Sequence, residues 1–260
     1  GVYTQVMKKF MDDRLKFTGS IRYDKSQNFK GNYSPRVSLV YSGGQNKNHN
    51  FRGSFQTGFR NPTTQDQYIG FNVGSAILLG SAPDNLTRYS ETLPISGAAV
   101  PTIGSSVGIN GTNAYDNSYT ATSALAFASS GGNTALLRKT DVDVVKPEEV
   151  KAFELGYRSF INKTSIDING YYNIYNNFIG NLNVVAPLYG LAQNNPTLGN
   201  PNLAVFPIDP GSQSVHALRT GNTRTFQLYT NTDLEIKSLG FGIGLSRKVY
   251  QDFEVGVNYN

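Results

Sequence analysis

Residues 165–179 read SIDINGYYNIYNNFI and carry the clearest periodicity of the chain. Apolar side chains recur at alternate positions over most of this segment, at Ile166, Ile168, Tyr172, Ile174 and Phe178. A period of two is typical of a β-strand with one apolar and one polar face. Residues 152–158 alternate in the same way, and Asn162-Lys163 between the two segments favours a turn. The sequence therefore predicts a β-hairpin here.

Five further segments repeat this alternation and a sixth, residues 3–10, shows it weakly, so that about eight strands are predicted in all. They comprise residues 3–10, 15–24, 36–41, 51–56, 239–246 and 253–259. Short turns are expected at 12–13, 43–49, 162–163 and 250–252, and long loops at 25–33, 59–146 and 180–225. Short and long connections alternate, so all the long loops leave the same edge of the predicted sheet. Loops of this length are expected to carry a function.

Alternating strands fit two architectures, a soluble β-sandwich and an antiparallel up-and-down transmembrane β-barrel. Three features favour the all-β barrel. Segments of about ten residues match a tilted transmembrane strand, and short turns opposite long loops are typical of outer-membrane proteins. Aromatic residues also cluster near the strand ends, where a membrane interface would lie, at Tyr23, Tyr41, Phe178 and Tyr259. The sandwich, with the apolar face as its core, stays open as the alternative.

The composition argues against an enzyme and against bound cofactors or metals. The 260 residues include no Cys and two His, His49 and His216, which leaves few ligands for a transition metal. Carboxylate pairs at 141/143 and 148/149 lack the pattern of a calcium loop. Ser106 in GSSVG has the spacing of a nucleophile elbow, but Pro101 interrupts the segment before it. The net charge of +5 is scattered, so no nucleic-acid partner is expected.

Four phrases of the chain point to one family of membrane proteins. They are SPRVSLVYS (34–42), FRGSFQTGFRNPT (51–63), FELGYR (153–158) and YYNIYNNFIG (171–180). In sequence and order they resemble the β-barrel of TonB-dependent outer-membrane receptors, particularly those of Bacteroidota. The resemblance implies a barrel of about 22 strands around a globular plug domain. With about eight strands and no recognisable plug, residues 1–260 are interpreted as part of such a barrel domain.

The resemblance also implies a function, that of an outer-membrane receptor and transporter of a bacterial cell. It would take up a scarce solute, such as a siderophore, an oligosaccharide or a peptide, with energy coupled through TonB. The expected partners are outer-membrane lipid, the protein's own plug domain, the TonB complex and a surface lipoprotein. Three alternatives stay open: a small passive barrel or adhesin, a structural partner in a surface-lipoprotein or secretion assembly, and a secreted sandwich that binds a ligand.

Two sets of candidate site residues follow. Aromatic residues of the long loops could stack on a ligand or pack the loops together: Tyr68, Phe71, Tyr89, Tyr115, Tyr119 and Tyr189. Charged residues on the polar strand face are expected to point into the barrel lumen, toward water or a plug: Arg22, Asp24, Arg36, Arg52, Arg60, Glu154, Arg158 and Asp167. Gly240, Gly242 and Gly244 predict a bare strip on that face. Arg247 falls on the apolar face near a short turn, where its long side chain can reach the interface.

Overall fold

The structure is a computed structural model that describes residues 1–198, 206–250 and 253–260. In chain order its strands are β1 (Val2–Phe10), β2 (Leu15–Asp24), β3 (Asn32–Gly43), β4 (His49–Arg60), β5 (Gly70–Asn72), β6 (Ile77–Leu79), β7 (Ser90–Pro94), β8 (Ser106–Asn110), β9 (Tyr119–Thr120), β10 (Glu148–Ile161), β11 (Thr164–Asn176), β12 (Ile179–Pro187), β13 (Thr223–Asn231), β14 (Ile236–Tyr250) and β15 (Phe253–Tyr259). Its α-helices are α1 (Thr64–Tyr68), α2 (Pro83–Arg88), α3 (Val100–Ile103), α4 (Gly111–Asp116), α5 (Ala121–Ser129) and α6 (Pro210–Thr220).

These elements fall into two compact units. The sheet unit comprises residues 1–61, 147–178 and 232–260, and the insert unit comprises residues 62–146 and 179–231. The sheet unit holds one antiparallel sheet in the order β1-β2-β3-β4-β10-β11-β14-β15. These are the eight strands that the sequence predicts, and their all-β, antiparallel up-and-down arrangement is confirmed. Within the described residues β1 and β15 have one neighbour each, so this is a partial barrel whose sheet does not close.

The register gives the sheet unit two different faces, because paired residues of neighbouring strands point the same way. On one face Phe55 of β4 lies beside Phe153 of β10, with ring centroids 4.8 Å apart. On the other face Ser54 lies beside Glu154. Most large apolar side chains of the first face are exposed. A soluble sandwich would bury that face against a second sheet, so the structure does not support the sandwich alternative.

The short turns of the sheet unit follow the sequence prediction. Asn162 and Lys163 between β10 and β11 have φ angles of 48° and 64°, the left-handed backbone that a two-residue hairpin turn needs. The turn predicted at 250–252 lies partly outside the described residues. Strand β11 ends at Asn176, earlier than the predicted end at residue 179. It ends there because Asn177 has a φ of 55°, which a strand cannot accommodate.

The two longest connections are folded, and the prediction of irregular loops at 59–146 and 180–225 is corrected here. The described residues of the insert unit form a five-stranded sheet in the order β5-β6-β13-β12-β9, a β7-β8 hairpin and six α-helices. Ile77, Phe226 and Val184 are fully buried in its core. Strands β5, β6 and β9, with three, three and two residues, are too short to show a period, and β6 pairs in parallel with the distant β13. No described helix is long and apolar enough to cross a membrane.

Candidate functional site

The polar face of the sheet unit carries all eight charged residues that were predicted for it. Ladder pairs on this face include Arg36 with Gln56, Arg52 with Gly156, and Arg158 with Asp167. By the same register the face also holds Arg22, Asp24, Arg60 and Glu154. A charged face opposite an apolar one is the arrangement that the wall of a water-filled or plugged barrel requires.

Three of these side chains form a cluster across β4, β10 and β11. The Nε of Arg158 donates to Oδ2 of Asp167 over 2.7 Å, and Nη2 of Arg52 donates to Oδ1 over 3.4 Å. Arg52 crosses β10 at Gly156, where any Cβ would collide with its side chain. Both arginine side chains are about half exposed, so the cluster adds little to stability. Its net positive charge is accessible to an anionic group.

Other charges of the polar face are held by near neighbours. Arg60 at the end of β4 makes a bidentate pair with Glu148 at the start of β10, with N–O distances of 2.6 and 2.8 Å. Arg22 pairs with Asp24 two residues along β2, with Nη2 donating to Oδ1 over 2.9 Å. Bidentate guanidinium–carboxylate pairs fix geometry as well as charge. The face near the long connections therefore presents ordered ion pairs.

The glycines of β14 lie on the polar face, but they do not form the bare strip that the sequence predicts. The ring of Tyr171 covers Gly240, and a Cβ on Gly244 would lie 2.8 Å from Oδ1 of Asn258. The glycines therefore give room to side chains of the neighbouring strands. Beside this strip a cavity of about 250 Å³ is lined by the Arg158–Asp167 pair and Gly244.

Three of the six aromatic candidates lie in the core of the insert unit: Tyr115, Tyr119 and Tyr189. The hydroxyl of Tyr115 donates to the carbonyl of Tyr229 over 2.7 Å, and the Tyr119 hydroxyl lies 2.7 Å from Oγ of Ser214. Burial raises the pKa of both phenols. With no ring face open to a solute, these three residues are reassigned to packing, which the sequence left open as the alternative.

The other three aromatic candidates are more accessible. Tyr89 is half-buried, its hydroxyl donates to Glu91 over 3.0 Å, and burial raises its pKa. The ring of Tyr68 is approached by the guanidinium of Arg88 at 5.8 Å. Phe71 is 59% exposed and offers a free ring face. Of the six aromatic candidates, Phe71 is the best placed to contact a solute.

A hydrogen-bond network fixes the strand that carries Phe71. Nη2 of Arg224 donates to Oδ1 of Asn72 over 2.6 Å, and its Nη1 donates to the carbonyl of Gly74 over 2.9 Å. The Asn72 amide donates in turn to Glu91 over 2.8 Å. Asn72 is thus held from β13 and from β7, and Gly74 is held from β13. A ring presented on such a fixed support loses little conformational entropy when it binds.

The insert sheet has a face of aromatic and amide side chains, which the sequence prediction missed. Phe71, Leu78, Gln227 and Asn183 form one row across β5, β6, β13 and β12. Nε2 of Gln227 donates to Oδ1 of Asn183 over 3.3 Å, and the hydroxyl of Tyr229 in the next row accepts from Nε2 of Gln65 over 2.8 Å. We call Phe71, Gln227, Asn183, Tyr229 and Gln65 the amide face.

The amide face was missed because β12 and β13 fall largely in a predicted loop. The signal was present in residues 223–231, TRTFQLYTN, where Phe226 and Leu228 alternate with Gln227 and Tyr229. Phe226 and Leu228 are fully buried, so the other set points away from the core. A period of two over so few residues is weak evidence for a strand unless its partner strand is known.

A buried polar network closes the core of the insert unit around α6. Asn222 accepts from the backbone N–H of Ser96 over 2.9 Å and donates to its carbonyl over 3.1 Å. The Tyr189 hydroxyl lies 2.8 Å from Nδ1 of His216, and Asn222 donates to Thr220 over 2.8 Å. His216 is buried, and within the described residues its Nε2 has no hydrogen-bond partner. Burial lowers the pKa of His216, so the ring is neutral at pH 7.

The sheet unit defines the class of protein to which the chain belongs. An antiparallel sheet with one charged and one exposed apolar face, and with short turns at one edge only, is the wall of a membrane β-barrel. More particularly, the chain belongs to the family described as TonB dependent receptor-like, beta-barrel, whose model matches residues 1–260. This is a family of outer-membrane receptors and transporters, so an outer-membrane location is implied.

Among solved structures the chain is similar to the siderophore receptor PirA from Pseudomonas aeruginosa, with a TM-score of 0.48 and 12% sequence identity. The match covers 98% of this chain and 32% of that receptor, so the chain spans about a third of the receptor's length. No curated protein matches the chain.

Proposed function

We propose that the chain is the membrane-spanning and solute-contacting part of an outer-membrane receptor that takes up a scarce solute. The observation that carries this proposal is the joining of a membrane-type sheet to a separately folded insert. The insert leaves the sheet at Arg60 and Asn176 and returns at Glu148 and Ile236, which are neighbouring strand ends. In outer-membrane barrels the long connections lie on the outer side, where a solute is first met.

The apolar face of the sheet would lie against lipid. Leu155 on β10 and Leu239 on β14 are both largely exposed, which is unfavourable in water and favourable in hydrocarbon. Strands β10 and β11 have 14 and 13 residues. A tilted strand needs roughly 9 to 11 residues to cross the hydrocarbon. The strands are therefore long enough to span an outer membrane and to extend beyond it.

The polar face would then line the barrel interior, where the family implies a plug domain and coupling to TonB. The Arg52–Asp167–Arg158 cluster lies on this face and retains one positive charge. A carboxylate of the plug could complete this cluster, and plug movement would break the contact. We propose a receptor of the Bacteroidota type, because the phrases of residues 153–180 resemble that group most closely.

The amide face would contact the solute. It presents the exposed ring of Phe71 beside the side-chain amides of Gln227 and Asn183, and none of these groups is charged. The insert unit as a whole has six Lys or Arg against seven Asp or Glu, so it carries no net positive charge that would attract anions. These features favour an uncharged polar solute, such as an oligosaccharide or a peptide, over an anionic metal chelate. A surface lipoprotein is a second candidate for contact with the insert.

The first experiment asks whether the native polypeptide is a large plugged receptor. Its intact mass and its gel mobility with and without boiling would be measured after extraction from outer membranes. We expect a species several times heavier than 28.4 kDa that migrates faster when it is not boiled. A complete 28.4 kDa polypeptide with the same mobility shift would instead support the small passive barrel or adhesin.

The second experiment tests uptake. Cells with and without the receptor would grow on the same medium, and solutes depleted by the wild type alone would be identified by mass spectrometry. Depletion should stop when TonB is inactivated. It should fall about tenfold in Phe71→Ala/Gln227→Ala, because stacking and hydrogen bonding together contribute about 1.4 kcal/mol or more. Leu125→Ala, an exposed apolar residue of α5, is the matched control. Depletion that does not depend on TonB would contradict the proposal.

A further inference from the structure

The positive charge of the sheet unit is concentrated at the edge that carries the short turns. We counted the charged residues of these turns and of the three residue pairs next to each turn. They include eight Lys or Arg and four Asp or Glu: Lys8, Lys9, Arg14, Lys16, Lys47, Lys163, Arg247 and Lys248, with Asp12, Asp13, Asp252 and Glu254. Asp252 lies outside the described residues. At the opposite edge, the sheet-unit residues of the long connections and the three residue pairs next to each contain five Lys or Arg and five Asp or Glu: Arg22, Lys25, Lys30, Arg60 and Lys237 with Asp24, Glu148, Glu149, Asp233 and Glu235.

Two of the short-turn cations lie on the apolar, membrane-facing side of the sheet. Lys8 pairs with Phe17, and its Nζ lies 5.2 Å from the ring centroid of Phe10. Arg247 pairs with Thr164, the residue that follows the turn at Lys163. Lys8, Lys163 and Arg247 are all exposed. Long cationic side chains at this depth lie along apolar surface and extend their charge to the headgroup layer.

In the part of the chain that the structure describes, few Asp or Glu side chains pair with the short-turn cations and balance their positive charge. Arg14 and Lys47 donate to backbone carbonyls of the neighbouring turns, those of Gly44 and Asp12, each over 2.7 Å. Such bonds hold the side chains at the edge but leave their charge intact. The ion pair of Lys9 with Asp13, at 3.4 Å, involves a lysine whose strand position belongs to the polar face.

We propose that this cationic edge binds the phosphate groups of anionic phospholipids in the membrane leaflet that meets the short turns. The binding surface, here called the cationic rim, consists of Lys8, Arg14, Lys47, Lys163 and Arg247. Basic residues at the border of an apolar surface attract anionic lipid, and the attraction fades within about a Debye length. The rim therefore fixes the height of the sheet in the membrane and selects the lipid around it.

The opposite edge provides a matched control, because its membrane-facing cations have acidic neighbours. Lys237 pairs with Glu235 at 2.9 Å, and Lys151 lies two residues from Glu149 on the same face of β10. Lys25 stands in the connection between β2 and β3. Removing three cations from either edge changes the total charge equally. The two triple variants therefore separate a localised lipid site from a general charge effect.

The test uses the native polypeptide purified in neutral detergent and mixed with equal amounts of phosphatidylglycerol and phosphatidylcholine. Native mass spectrometry gives the ratio of the two lipids that stay bound. The rim variant Lys8→Gln/Lys163→Gln/Arg247→Gln should lose its preference for phosphatidylglycerol, about fivefold for each cation removed. The control variant Lys25→Gln/Lys151→Gln/Lys237→Gln should keep it. Unchanged heat-modifiable mobility confirms folding, and Arg247→Gln alone is used should the triple rim variant not fold.

Several results would overturn the proposal. An equal loss in both triple variants would show a general effect of charge, and the absence of any wild-type preference would show no site. Displacement of phosphatidylglycerol by millimolar inorganic phosphate would indicate a site for free phosphate. Stronger binding of lipid A than of phosphatidylglycerol would assign the rim to the outer leaflet. None of these results bears on solute uptake, so the proposed function stands or falls separately.

Discussion

The two units of the chain place their apolar residues in opposite ways. In the insert unit Phe226 is 0% exposed, whereas Leu239 and Leu155 of the sheet unit are 80% and 73% exposed. Apart from Ala152, the buried hydrophobic residues described in the chain all belong to the insert unit. The same hydrophobic effect acts on both units, but the insert unit buries its apolar residues by itself, whereas the sheet unit leaves them exposed and would need an apolar surrounding to exclude water.

Charge separates the units as clearly as exposure does. The sheet unit holds 17 Lys or Arg against 11 Asp or Glu, and the insert unit holds six against seven. The whole basic excess of the chain therefore lies in the sheet unit. The pI of the chain depends on its total number of charged residues and does not reveal how they are divided between the two units.

The largest effect is expected from removing a core side chain of the insert unit. Phe226→Ala should lower the free energy of unfolding of that unit by about 3–5 kcal/mol, because it leaves a cavity among Ile77 and Leu79. Hydrogen exchange of β12 and β13 against denaturant would measure the loss. The same change at Phe241, on the exposed face of β14, is the control and should leave exchange in the insert unchanged. Equal losses in both variants would mean that the units do not differ as described.

The next effect tests the two faces of one strand. Leu155→Arg puts a charge on the apolar face in the middle of β10 and should cost about 2–4 kcal/mol of membrane stability. Glu154→Leu changes the adjacent residue on the polar face and should spare insertion. The folded fraction in outer membranes, read from heat-modifiable mobility, gives both values. Normal assembly of Leu155→Arg, or failure of Glu154→Leu alone, would reverse the assignment of the faces.

The sheet unit could be predicted from the sequence because its signal is long and repeated. A strand such as β11 places four apolar side chains on one face, Ile166, Ile168, Tyr172 and Ile174, and a hairpin turn such as Asn162-Lys163 then fixes the register. Once the register is known, Arg52, Glu154 and Asp167 can be placed on one face, because alternate residues of a strand share a face with their partners on the next strand. The contact of Arg52 with Asp167 could not be predicted from the register, because the crossing of Arg52 over Gly156 depends on the conformation of the Arg52 side chain.

The insert unit could not be predicted, because its strands are short and their partners are distant. β9 has two residues and β6 has three, too few for a period, and β6 pairs with β13 far along the chain. The exposure of Tyr119 and Phe71 illustrates the same limit. Both are aromatic residues of the predicted long loop at 59–146, yet one is fully buried and the other is open to solvent. That difference is set by tertiary packing, which composition does not encode.

A smaller effect sharpens the contrast between buried and exposed polar groups within the insert unit. Asn222→Ala should cost about 1–3 kcal/mol, since it leaves the backbone N–H and carbonyl of Ser96 without their partner. Asn183→Ala, on the exposed amide face, should stay within about 0.5 kcal/mol of wild type. Denaturant midpoints followed by limited proteolysis of the insert would measure both. A loss at Asn183 as large as that at Asn222 would show that the amide face is part of the core.

The smallest expected effect is a pH dependence that belongs to the insert unit alone. Burial lowers the pKa of His216 below its usual value of about 6.5, so on acidification the unfolded chain takes up this proton first. The contribution of His216 to the free energy of unfolding is therefore complete above about pH 6.5. It falls as the pH is lowered toward the pKa that His216 has in the folded protein. His216→Gln should flatten the slope between pH 7 and about pH 5, as measured by hydrogen exchange.

Asp209, the N-cap of α6, separates this effect from ordinary acid denaturation. Its carboxylate accepts the backbone N–H of Ser212 over 2.8 Å, which holds its pKa below the usual range. The contribution of Asp209 to the free energy of unfolding is complete above about pH 4 and is lost below that value. This range lies below the pH range in which His216 acts. Asp209→Asn should thus change the slope only in the acid range. The interpretation of His216 as a buried, neutral group would fail if His216→Gln left the slope between pH 7 and about pH 5 as steep as in the wild type.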